Sequence, residues 1–157
     1  MARIPDPVPG LIFRYGYLWL AEFRQGRVDP IKDRPACIVI RVADPADARL
    51  SVAGAQPAPL DPNDVVLLPI ATRRPSADQL GVELSPEEKS LCRPDPAVRS
   101  WVIVSEFNAD VWPNADLSLV PETGAFAYGV ARPGLLARVG RAFAEARRSR
   151  RIVGVKR

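Results

Sequence analysis

Histidine is absent from this 157-residue chain. That removes the commonest zinc ligand and the commonest general base at neutral pH. Any catalysis must then use carboxylates, arginine, lysine, hydroxyls or a thiol. Cysteine is almost absent as well: only Cys37 and Cys92 occur, and they form no metal-ligand pattern. Cys37 falls inside an apolar run, where a buried thiol is the usual occupant. No apolar run is long enough to span a bilayer, and no N-terminal segment has the basic-then-apolar layout of a signal peptide. A cytoplasmic protein without a membrane partner is expected.

Proline, by contrast, is plentiful. Seventeen prolines leave room for few long regular elements, and they gather between apolar runs. That distribution argues for strands and loops rather than a helical bundle. A hydrophobic fraction of 47% and a charged fraction of 25% are ordinary for a globular chain of this length. Residues 1–149 are expected to form a single domain, and residues 150–157 a basic, frayed tail.

The net charge of +4 is unevenly spread. Between Arg132 and Arg157 nine basic residues face one acid, Glu145, so this stretch carries +8 and residues 1–131 carry −4. A basic end on a mildly acidic body suits contact with a polyanion or an acidic protein partner. A merely solubilising tail has the same composition.

Leu11 to Phe23 is rich in aromatic and branched residues and predicts a long first strand, with Gly16 as a bulge or corner. Ala36 to Val42 is a continuous apolar run, as in a strand buried on both faces. Leu50 to Val52 is a weak strand candidate within a proline-rich excursion. Val65 to Ile70, Gly81 to Leu84, Ser100 to Glu106 and Phe126 to Val130 complete the strand set. Ser85-Pro86-Glu87-Glu88 predicts a short mid-chain helix: serine caps, proline takes the first helical position and Glu88 closes a capping box. From Gly134, the spacing of Leu135, Val139 and Phe143, with Leu136 beside them, predicts an amphipathic C-terminal helix. The fold class is mainly β with α, and the many short strands point to a small barrel or strongly curved sheet.

Two segments hold residues suited to phosphate chemistry. Arg34 precedes Pro35 and the apolar strand from Ala36, where the backbone is stiff and a forked cation is well placed. Thr72 follows the strand ending Leu68-Pro69-Ile70-Ala71 and is itself followed by Arg73 and Arg74. A hydroxyl donates to a phosphate oxygen, and arginines neutralise backbone charge. Taken alone, Arg34 is better explained by a salt bridge to Asp33 or another carboxylate at a rim, and the second segment by a plain loop after a strand. Glu87 and Glu88 resemble a carboxylate pair, but adjacent helical residues diverge, and capping accounts for them. Trp101 belongs to a core strand, whereas Trp112, beside Pro113 and Asn114, is a candidate contact residue.

In order along the chain, Pro9-Gly10-Leu11-Ile12, Arg34-Pro35-Ala36, Val66 to Thr72, Ser100 to Glu106 and the C-terminal helix resemble the MazF/PemK toxin endoribonucleases. The resemblance implies an SH3-like small barrel and metal-independent cleavage of single-stranded mRNA, with no cofactor. In that chemistry the ribose 2′-hydroxyl attacks the adjacent phosphate. It further implies a homodimer neutralised by a small antitoxin. Arg34 would shuttle a proton or stabilise charge on the phosphorane, and Thr72 would bind a nonbridging oxygen. Arg27, Lys32, Arg73 and Arg74 would line the RNA path.

The sequence departs from the family at one telling position. Alignment with its Pro-x-Thr motif puts Ala71 where threonine is expected, with Thr72 one residue late. In a strand such a slip turns the side chain to the other face. The alternative expectation is therefore a catalytically degenerate module that binds RNA or an acidic protein partner. An assembly protein whose helical tail docks on an acidic partner is a third.

Overall fold

The computed structural model describes residues 2–30, 36–43, 52–53, 60–92, 95 and 97–157. Its chain order is β1 (Leu11–Tyr15), α1 (Leu20–Arg24), β2 (Ala36–Val42), β3 (Val52–Ala53), β4 (Val65–Ala71), β5 (Gly81–Glu83) and α2 (Pro86–Lys89). There follow β6 (Trp101–Ile103), β7 (Glu106–Asp110), β8 (Leu117–Ser118), β9 (Ala127–Val130), α3 (Pro133–Arg148) and β10 (Val153–Lys156). The strands pair in the order β3-β10-β7-β4-β2-β1-β8, with β9 also on β1, and β6 bridging β4 to β5. Every pairing is antiparallel except those of β10, which runs parallel to β7 and β3. Among the described residues, no pairing joins the β3 edge to the β8 and β9 edge. The architecture is thus a mostly antiparallel sheet with three described helices.

Strand alternation divides the core between the two faces of the sheet. Ile12, Ile38, Leu68 and Ile70 point to one face, where they pack under Leu135, Val139, Phe143 and Ala146 of α3. Phe13, Tyr15, Cys37, Val39, Val65 and Leu67 point to the other, packed with Tyr17, Trp19 and Trp112. Cys37 is fully buried, and neither cysteine forms a disulfide. The first half of β2, Ala36 to Val39, is apolar and buried on both sides, whereas Ile40 and Arg41 are half-buried and Val42 is exposed.

Both helix expectations hold. Ser85 Oγ accepts from the Glu88 amide at 3.2 Å, while Glu88 returns a carboxylate oxygen to the Ser85 amide at 2.9 Å. Arg138 of α3 grips the same carboxylate at 2.8 and 2.9 Å, which joins the two helices. α3 buries residues four, eight and eleven positions beyond Leu135 along one stripe, as the sequence spacing predicts.

Three expectations require correction. The first strand does not run to Phe23. It ends at Tyr15, because Gly16 leaves the sheet to bond Asp116 and the next residues turn their polar groups to β7. The segment Ser100 to Glu106 is split: β6 pairs with β4 and β5, β7 pairs with β4 and β10, and Val104-Ser105 forms the corner. The expected frayed tail is instead ordered as β10. Arg150 turns the chain at φ 56° after α3, and Val153 to Lys156 pair along β7. Among the described residues, no helix is long and apolar enough to cross a membrane.

Candidate functional site

The end of the sheet where β2 begins is also the end where β4 finishes and β7 begins. Antiparallel pairing sets Cys37 opposite Pro69 and Val39 opposite Leu67, and β4 meets β7 with Leu67 opposite Asn108. Ala71 closes β4 opposite Trp101, and Thr72 is the first residue beyond it and is exposed. Arg73 and Arg74 follow, also exposed, and the field of Arg74 reaches Glu83. Thr72, Arg73 and Arg74 thus share one rim. Arg34 and Lys32 lie outside the described residues.

The same rim is flanked by α1. The Leu20 amide donates to Glu106 Oε1 at 3.0 Å, which fixes the helix beside the start of β7. Arg24, in its last turn, is exposed and acts electrostatically on both Glu106 and Asp78. Arg27, three residues on, is exposed as well. Arg24 therefore joins the cations of this rim, although the sequence did not single it out. It was hidden because LIFRYGYLWLAEF resembles one strand, and a helix at its end has only five residues.

Beneath the rim runs a buried polar stripe on β7. Glu106, Asn108 and Asp110 alternate along the strand, and all are at most 6% exposed. Each holds the 15–20 segment: Tyr17 Oη donates to Glu106 at 3.2 Å, the Leu18 amide to Asn108 at 2.9 Å, and Tyr15 Oη to Asp110 at 2.6 Å. Asn108 also donates back to the Leu18 carbonyl at 2.8 Å. Burial pushes the Glu106 and Asp110 carboxyls above their ordinary range, against the hydrogen bonds that favour the ionised forms. Burial, with the facing carboxylates, also raises the Tyr15 and Tyr17 phenols. The stripe positions α1, and so the cationic flank of the rim. Its signal in the sequence is the alternation of Glu106, Asn108 and Asp110 within an otherwise apolar strand.

Part of the basic end of the chain is consumed within the fold. Lys156 bonds both carboxylate oxygens of Asp64 at 2.6 Å. Arg157, its side chain 6% exposed, donates to the Gly16 carbonyl at 2.6 Å and to Asp116 at 2.8 Å. With Arg138 on Glu88, three of the nine cations pair with acids of the body among the described residues. Trp101 is buried, as its strand context predicts, with Arg99 over its ring. Trp112 is not a free contact residue: its Nε1 donates to the Pro5 carbonyl at 2.9 Å, and its ring meets Phe13 edge-on. No family model, curated protein or solved structure matches this chain.

Proposed function

We propose that this protein is a MazF/PemK-like endoribonuclease that cleaves single-stranded mRNA without a metal, on a small SH3-like barrel. The observation that carries the reading is the antiparallel pairing of β2 with β4. It brings the start of one strand and the end of the other to a single rim. Thr72 is one residue past β4, and Arg34 is two residues before β2 in the chain.

The chemistry needs charge stabilisation more than proton shuttling by a tuned base. The 2′-hydroxyl attacks the adjacent phosphorus and gives up its proton to water, the bond to the 5′-oxygen breaks, and the leaving oxygen takes a proton from water. A cyclic 2′,3′-phosphate and a 5′-hydroxyl remain. Arg34 offsets the negative charge that builds on the phosphorane, and the Thr72 hydroxyl donates to a nonbridging oxygen. Arg24, Arg27, Lys32, Arg73 and Arg74 hold the flanking phosphates. A homodimer restrained by a small antitoxin belongs to the same proposal.

The test is cleavage of a mixed mRNA substrate in EDTA by wild type and by Arg34→Ala, with circular dichroism on both. Fragments with 5′-hydroxyl ends that disappear in the folded variant are expected. Intact RNA with folded wild-type protein, on naked and ribosome-bound mRNA alike, overturns the reading in favour of a non-catalytic binding module.

A further inference from the structure

The helix α1 is anchored by its polar groups rather than by a buried face: Glu106 holds its first amide, and none of its five residues is buried. Two aromatic side chains are left half-buried there, Trp19 at the N-cap and Phe23 one turn on. The Phe23 amide donates to the Trp19 carbonyl at 2.9 Å, which makes them neighbours about 6 Å apart along the helix. Phe23 belongs to neither hydrophobic cluster. Trp19 packs at the margin of one, where Tyr17 meets its ring edge-on at 5.0 Å between centroids. Tyr17 is 1% exposed and tied to Glu106. The indole is thus held in place while part of it stays in water.

We propose that Trp19 and Phe23 are a stacking platform for the bases of a single strand bound at the rim. The inference rests on the reading of the rim as an RNA site, but not on cleavage there. Charge complementarity selects the occupant. Arg24 and Arg27, both exposed, follow Phe23 directly in the chain, and Arg73 and Arg74 share the rim. Glu22, the acid of α1, is turned back onto the Trp19 amide at 3.1 Å, and Asp78 is bonded by Ser76 at 2.6 Å, which leaves Asp29 as the exposed acid of residues 19–30. Cations hold phosphates, whereas flat aromatic faces hold bases of any sequence. Over residues 19–27 the two kinds of side chain interleave, as a single-strand path requires and a phosphate site alone does not. A duplex keeps its bases stacked inside, out of reach of both rings. The platform therefore selects single strands.

The test compares two fluorescent oligomers by anisotropy against the full chain. One is a 2′-O-methyl RNA of mixed sequence and about eight nucleotides, within the span of single-strand sites; its blocked hydroxyl cannot attack. The other is the same backbone without bases, equal in length and charge. Wild type is expected to bind the first roughly tenfold or more tightly than the second. Trp19→Leu/Phe23→Leu keeps apolar bulk, removes both flat faces and is expected to lose most of that ratio. Phe23→Leu alone, at a residue outside both clusters, puts the fold least at stake and is expected to lower the ratio in part. Arg24→Ala/Arg27→Ala is expected to weaken both oligomers and keep the ratio. Equal binding of the two oligomers by wild type, or a wild-type ratio in either leucine variant with native circular dichroism, would overturn the platform and leave cleavage at the rim untouched. Binding of neither oligomer would overturn it together with RNA recognition at the rim.

Discussion

At the residue scale the question is which hydroxyl position matters, 71 or 72. Ala71 closes β4 opposite Trp101, on the Pro69 side of the strand, whereas Thr72 has left the ladder and stands in solvent. A hydroxyl at 71 would be directed by the pleat, and one at 72 by the loop. Thr72→Ala is expected to slow single-turnover cleavage by roughly 10²–10³-fold, as for loss of one oxyanion donor. Adding Ala71→Thr to that variant is expected to restore nothing, and recovery of the rate would move the donor to position 71. A second position is set by packing alone. Gly154 lies opposite Phe107 in the parallel pairing, and a Cβ there would fall 2.1 Å from the ring's Cζ. Gly154→Ala is expected to cost about 1–3 kcal/mol by overpacking, seen as a lower urea midpoint at constant slope.

At the scale of elements, legibility followed how local the cause was. The short helix α2 and the long α3 were readable because their determinants, a capping box and an apolar stripe, lie within the element itself. The strands β2 and β4 were readable as continuous apolar runs, and their pairing gives the rim its shape. The break after Tyr15 was not readable, because it depends on polar groups 90 or more positions away: Asn108 binds Leu18 and Asp110 binds Tyr15. β10 was missed for the same reason. A basic tail without clear periodicity looks solvated until Asp64 and Asp116 are brought to it by the fold. Cations of equal formal charge are therefore unequal in effect. Arg157→Met, which strands buried acceptors and Asp116, is expected to cost about 3–5 kcal/mol. Arg148→Ala, on the exposed pair with Glu145, is expected to stay within about 0.5 kcal/mol. Equal urea midpoints for the two variants would show that β10 is not held by its terminal arginine.

For the whole molecule, pH acts on the fold through two opposed sets of carboxyls, one raised by burial and one lowered by an arginine. Glu106 and Asp110 lie under the 15–20 segment, and burial raises both above their ordinary values of 4.5 and 3.8. Above those raised values both are ionised whether the chain is folded or not, and their burial weakens the fold. As pH falls through them, the folded protein takes up protons that the unfolded chain does not, so stability rises until the ordinary values are reached. Glu88 has the opposite sign. Its hydrogen bonds to Arg138, working against desolvation, hold its carboxyl down at about 2. Its contribution is complete above 4.5 and is lost as pH falls from there toward 2. Urea unfolding across this range is expected to give a stability maximum on the acid side of neutrality, near about pH 5. Glu106→Gln should flatten the limb above the maximum, because the amide carries no charge to bury. Glu88→Gln should flatten the limb below it and leave the upper limb intact. A wild-type stability that rises steadily from about pH 5 to 7 would mean that the buried stripe on β7 is solvated in solution, and that α1 is held by something other than Glu106.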